Sequence, residues 1–214
     1  MKILIATDKF KGTLTAAEAC DAISSGIREL DSSIKTIEIP LADGGEGSVS
    51  ILHKYLELSQ QSVLVKDPLG RTIVAKYSIS NDGESAYIES SAASGLGLLS
   101  KEEYNPLYTS TYGTGEMILD ALSHGVRDVY IFLGGSSTND MGIGMAEALG
   151  YEFRDRDGDE VPPVGLSLAF IMEISSVLKY RKRDVRFYGV GDVTNPLYGK
   201  NGACLLYTSP SPRD

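Results

Sequence analysis

Apolar and polar positions follow two different rhythms along this chain. Lys2 to Thr7 is a short apolar run ending in a polar loop, the pattern of a buried strand. Thr15 stands ahead of Glu18 at capping-box spacing, and Ala19, Ala22, Ile23, Ile27 and Leu30 follow at helical intervals, which predicts a helix. Ile37 and Ile39 flank Glu38 in a second strand. After the loop Ala42-Asp43-Gly44-Gly45-Glu46-Gly47, the residues Val49, Leu52, Tyr55 and Leu56 mark a second helix. This β-α-β-α opening predicts a parallel, Rossmann-like sheet. From Gln61 the apolar pairs Val63/Val65, Ile73/Val74 and Ala86/Ile88 are separated by the turns Asp67-Pro68-Leu69-Gly70 and Asn81-Asp82-Gly83, signals of an antiparallel meander. The α/β rhythm returns with a helix from Thr114 to His124 closed by Gly125, a strand from Val129 to Leu133, and a helix running to Leu149 and stopped by Gly150. The fold class expected is α/β in two domains. Residues 1–60 form the start of a Rossmann-like unit with a parallel sheet, and residues 61–203 an incomplete, mixed α/β unit built on the meander.

Charge and composition narrow the function. With 20 Lys plus Arg against 29 Asp plus Glu, the net charge of −9 argues against broad nucleic-acid binding, which needs a basic face. The basic run Lys179, Arg181, Lys182, Arg183 and Arg186 reads as a solvated element end. No uncharged apolar run reaches the roughly 18 residues of a membrane span; the best stretch, Val161 to Met172, is broken by two prolines and a glycine. Asp8 and Lys9 interrupt the N-terminal run before a signal peptide can form, so a cytoplasmic location is expected. Two cysteines give no disulfide framework, and two histidines, His53 and His124, cannot build a His-based metal site. Acid/base chemistry therefore falls to carboxylates or lysines.

The end of the chain departs from this pattern. Cys204 to Asp214, CLLYTSPSPRD, is an aperiodic Ser/Pro run following a well-formed glycine loop, and it reads as a transposon-type sequencing adapter translated in frame. On that reading the natural sequence is cut at Ala203, Cys20 is its single cysteine here, and the chain as it stands is expected to be unstable and inactive.

Four polar, glycine-bearing segments sit where strands end or helices begin: Thr7 to Thr13, Asp43 to Gly47, Thr109 to Glu116 and Gly134 to Asp140. In open α/β sheets such loops line the ligand crevice, and their free N–H groups suit phosphate or carboxylate. A fifth, Gly191 to Leu197, follows the strand Val185 to Val190; it is either a ligand loop or an Asx-type turn before proline. Lys9 and Lys11 are either a ligand-facing cation pair or a solvated one. No GxxxxGK[ST], strand-linked GxGxxG or protein-kinase signature is present, and Gly95-Leu96-Gly97 reads as a tight turn.

Six ordered blocks carry a resemblance: DKFKGTLTA (Asp8 to Ala16), PLADGGEGS (Pro40 to Ser48), DPLGR (Asp67 to Arg71), NPLYTSTYGTGE (Asn105 to Glu116), LGGSSTNDMGIGMAEALG (Leu133 to Gly150) and GDVTNPLYGKNGA (Gly191 to Ala203). In order and spacing they resemble the bacterial glycerate kinase family of type I. The resemblance implies two α/β domains with an active site between them, and transfer of the ATP γ-phosphoryl group to D-glycerate with Mg as the metal. Family members continue well past the NGA segment. A non-catalytic metabolite-binding module is the alternative that would also use anion loops. The oligomeric state is not legible in these residues.

Phosphoryl transfer needs positioned cations, N–H donors and carboxylates rather than covalent chemistry. On chemical grounds, Lys9 and Lys11 compensate charge, and the backbone of Gly134, Gly135, Ser136, Ser137 and Thr138 binds the nucleotide phosphates. Asp8, Lys9, Thr114 and Asn195 face the substrate. Asp43, with Glu46 beside it, suits Mg; Asp140 is a second metal candidate, with helix capping as its simpler job. Asp192, at a strand end with Asn195 close by, is the candidate to orient or deprotonate the acceptor hydroxyl.

Overall fold

The computed structural model describes residues 1–10, 12–177 and 184–195. The chain opens with β1 (Lys2–Ile5), α1 (Ala16–Leu30), β2 (Lys35–Glu38) and α2 (Ser48–Leu52), and β1 pairs parallel with β2, Ile3 opposite Thr36. The parallel β-α-β opening is thus as the periodicity predicts. Helix α1 begins where expected because both halves of the capping box form: Thr15 Oγ1 accepts from the Glu18 N–H at 3.2 Å, and the Glu18 carboxylate accepts from the Thr15 N–H at 2.8 Å. The second helix is shorter than its apolar pattern suggests. It ends at Leu52, and Lys54 and Tyr55 donate to carbonyls only three residues back, tightening the chain into turns before the next strand.

That strand, β3 (Leu58–Lys66), starts ahead of the expected position, so residue 60 falls inside it. With β4 (Thr72–Ser80) and β5 (Ser85–Glu89) it forms the antiparallel meander. After the short helix α3 (Ser91–Ser94) and the helix α4 (Tyr112–Ser123), strand β6 (Asp128–Phe132) joins β5 in parallel. Helix α5 (Ile143–Ala148) leads to an antiparallel pair, β7 (Tyr151–Arg154) with β8 (Glu173–Ser176), which the hydrophobic pattern does not announce. Finally β9 (Arg186–Val190) lies parallel to β6, giving the order β3-β4-β5-β6-β9. The molecule is therefore mixed α/β: a parallel pair, plus a sheet that is antiparallel on one side and parallel on the other.

The core lies between α4 and one face of the five-stranded sheet. Ala86, Ile88, Val129 and Ile131 alternate inward, and Met117, Ile118, Ala121 and Leu122 of α4 cover them, all buried. Burial of such side chains contributes on the order of 1.5–3 kcal/mol each. Helix α4 carries Gly115 where α5 crosses it; a Cβ there would lie 2.5 Å from the Met145 carbonyl oxygen, so only glycine lets the helices meet. On the opposite face Tyr87, Tyr130 and Tyr188 occupy one register row of β5, β6 and β9, their rings stacked with centroids 5.2 and 4.7 Å apart. Among the described residues, no helix is long and apolar enough to cross a membrane.

Candidate functional site at the strand ends

The carboxyl ends of β1, β2, β6 and β9 converge, and glycines let their loops touch. The Gly134 N–H donates to the Gly44 carbonyl at 3.1 Å, and a Cβ on Gly134 would stand 2.5 Å from the Cα of Gly45. A Cβ on Gly44 would stand 3.1 Å from the Cα of Gly191, next to Asp192. Lys9, leaving β1, reaches the same turn. Its Nζ donates to the Glu46 carbonyl at 2.7 Å and lies 3.9 Å from Asp43 Oδ1, which accepts from the Gly45 N–H at 2.9 Å. Four of the five sequence segments thus meet at one place, bringing Lys9, Asp43, the Gly134 loop and the Asp192 segment together. Asp8 is exposed, its Oδ1 accepting from the Lys9 N–H at 2.6 Å. Asp192 and Asn195 both lie exposed after β9, while Lys11 falls outside the described residues.

The loop after β6 divides its work. The N–H groups of Gly134 and Ser137 are used internally, the latter by the Ser94 carbonyl at 2.9 Å. Ser137 also donates its hydroxyl to Ser94, and its own carbonyl accepts from Thr109 Oγ1 at 2.9 Å. Ser136 turns its hydroxyl back to the Leu133 carbonyl. Among the described residues, the N–H groups of Gly135, Ser136 and Thr138 have no acceptor, and Gly135, with φ of 81°, presents them at the surface. Free backbone amides at and just after a glycine turn are groups suited to an anion. Beside it, an apolar cleft of about 340 Å³ is lined by Ile39, Leu41, Ile51, Leu52, Tyr55 and Phe132.

Two of the expected site residues are buried and hydrogen-bonded within the scaffold. Asp140 is 1% exposed, and both its oxygens are taken: Oδ2 accepts from the Thr111 N–H and hydroxyl, each at 2.8 Å, and from the Gly144 N–H, and Oδ1 accepts from the Gly142 N–H. Of the two jobs expected of it, metal binding and helix capping, these contacts match the second: the carboxylate ties the Thr109–Glu116 segment to the start of α5. Thr114, expected at the substrate, is 2% exposed and shares a hydrogen bond of 2.7 Å with Ser94. The DPLGR block is likewise structural: buried Asp67 accepts from the Leu69 and Arg71 N–H groups and pairs with the Arg71 guanidinium. Both histidines stand apart from these loops. His53 shares a hydrogen bond with Ser78, and His124 lies beside Tyr77, whose phenol donates to Asp120 at 2.6 Å. Burial, reinforced by Asp120, pushes the Tyr77 pKa far above the ordinary phenol range.

One polar strand end escaped the sequence reading. Glu89 and Ser90 close β5, and Glu89 Oε1 accepts from the Val49 N–H at 2.8 Å. The stretch Glu89-Ser90-Ser91 follows an alternating strand just as the recognised loops do, but its glycine comes only at Gly95, after α3, so it lacked the glycine signal.

A mixed α/β sheet whose glycine turns bring amides, a lysine and carboxylates to the strand ends places this chain among α/β proteins with groups at the strand ends that suit a small anionic ligand. The chain belongs to the glycerate kinase family, whose profile matches residues 3–209. It is 42% identical over 208 residues to the glycerate 2-kinase of Escherichia coli (strain K12), covering 97% of this chain and 55% of that protein. It is also 42% identical over 206 residues to a glycerate kinase of Halalkalibacterium halodurans, covering 96% and 54%. The solved structure of a candidate glycerate kinase 2 from Salmonella typhimurium LT2 superimposes with a TM-score of 0.77 at 40% identity, covering 100% of this chain and 58% of that one. The chain thus spans about half the length of the curated relatives it matches. The matched region runs past Ala203, and residues 204–214, read above as an adapter, lie outside the described residues.

Proposed function

We propose that the protein at its natural length is an ATP-dependent kinase of type I that phosphorylates D-glycerate, giving 2- or 3-phosphoglycerate. The observation that carries this reading is the meeting of Lys9, the Asp43–Gly47 turn and the free amides of Gly135, Ser136 and Thr138 at one set of strand ends. The amides and Lys9 suit the phosphates of a nucleotide. Among the described residues no cluster of three ligating side chains exists. A magnesium ion that keeps waters and phosphate oxygens needs only one or two carboxylates, and Asp43, partly exposed beside the turn, fits that role. Bound there, Mg would neutralise charge building on the transferred phosphoryl group. Asp192 is the group we assign to orient the acceptor hydroxyl, with Lys11 supporting the phosphoryl charge and Asp8 and Asn195 on the substrate side. Residues 1–60 make one wall of the crevice and residues from 61 onward the other.

The test is transfer of labelled γ-phosphate from ATP to D-glycerate by the natural-length protein. Stoichiometric binding of both compounds without transfer would favour a metabolite-binding module instead.

A further inference from the structure

The end of β5 carries a polar pair that the reaction above leaves unused. Glu89 is half-buried; its Oε1 is taken by the Val49 N–H, while Oε2 has no partner among the described residues. Ser90, 5% exposed, holds the one buried side-chain oxygen among the described residues that finds no hydrogen-bond partner, its Oγ. Buried hydroxyls are almost always paired, so an oxygen left this way at a strand end points to a ligand group.

The pair belongs to the crevice by its connections. Val49 follows Ser48, whose Oγ donates to the Gly45 carbonyl at 2.6 Å, so Glu89 and Lys9 grip opposite ends of the same turn. Phe132, the register partner of Glu89, accepts from the Ser90 N–H at 3.0 Å and leads directly toward Gly134. Glu89 has no ion pair among the described residues. A carboxylate without a cation repels phosphate and carboxylate groups and accepts from O–H groups; a neighbouring serine hydroxyl both donates and accepts.

We infer that Glu89 and Ser90 hold the substrate hydroxyl that is not phosphorylated, making this strand end the determinant that selects a 2,3-dihydroxy acid over a monohydroxy acid. The inference rests on the kinase reading above. A site built around a substrate hydroxyl leaves its own polar groups unpaired when that hydroxyl is missing, and so discriminates strongly.

The natural-length protein with Glu89→Gln or Ser90→Ala tests it against D-glycerate, lactate and 3-hydroxypropionate, the last two each lacking one hydroxyl, measured as substrates or as competing inhibitors. Glutamine keeps a carbonyl oxygen for the Val49 N–H, and alanine removes an oxygen that no hydrogen bond of the fold uses, so Ser90→Ala decides the matter should the other variant fold poorly. The expected result is a fall of about 10- to 100-fold in kcat/KM for glycerate and a comparable loss of affinity for the analogue that keeps the unphosphorylated hydroxyl, with the affinity for the analogue that lacks it unchanged within twofold. Equal losses for glycerate and both analogues would make Glu89 a mere latch for α2 and overturn the inference, as would unchanged discrimination. A wild-type protein that transfers nothing to glycerate fails differently, since it removes the kinase reading itself.

Discussion

Lys9 spends its ammonium on the Glu46 carbonyl and Asp43 while remaining partly exposed, so one side chain both shapes the turn and leaves positive charge at its rim. Lys9→Met is expected to lower kcat/KM of the natural-length protein by roughly 10²–10³-fold, the loss typical of removing one charge-stabilising donor from a preorganised site. Asp192 calls for a different signature: Asp192→Asn keeps the shape, removes the proton acceptor, and should lower kcat by about 10²–10⁴-fold with the KM for ATP nearly unchanged. Loss of ATP or Mg affinity at constant kcat would reassign it to the metal. At this scale the sequence is a good guide to which segments meet and a weaker one to which of their side chains are buried. Lys9, Asp43 and Gly134 converge because strand ends in parallel units must, which topology alone predicts. Asp140 and Thr114 carry the same residue types in equally polar loops. They differ only in being buried, which depends on Thr111, Gly144 and Ser94 from distant parts of the chain.

Local signals were most dependable where one element satisfies itself. The Thr15–Glu18 capping box needs no distant partner and appears just as its spacing predicts. Thr15→Ala is expected to cost about 1 kcal/mol in urea unfolding. Within the same helix, a Cβ on Gly26 would meet nothing within 4 Å, so Gly26→Ala should stabilise by about 0.5–1 kcal/mol. Opposite signs from two changes in one helix make a sharp check on its boundaries and exposure. Helix α2 shows the limit of such signals, since Tyr55 and Leu56 continue its apolar spacing while the backbone has already turned toward β3. The β7–β8 pair is short: Tyr151 and Phe153 alternate with Glu152 and Arg154, but four residues on a strand, with Ile174 alone apolar in β8, are too few for the alternation to stand out.

Across the whole molecule, the strand-end site depends on backbone meeting backbone. Gly134→Ala forces the Gly45 turn away, because neither partner is a side chain that can swing aside. The expected cost is about 1–3 kcal/mol in stability, with ATP affinity falling in parallel. Equilibrium unfolding and nucleotide titration of the same preparation measure both; an alanine variant with wild-type values in each would mean that the loops do not meet.

The row of stacked rings on the sheet also makes assembly of the molecule visible to light. The chain contains 12 tyrosines and no tryptophan, so its near-ultraviolet absorption and emission are dominated by phenols. Tyr87, Tyr130 and Tyr188 are near-parallel, with interplanar angles of 9° and 12°, close enough for their transitions to couple. Tyr188 enters the row only when β9 docks against β6, far along the chain from the meander. The part of the coupled near-ultraviolet circular dichroism band that Tyr188→Phe removes, over and above the Tyr87–Tyr130 pair, would therefore time the docking of the last strand during refolding without any added label.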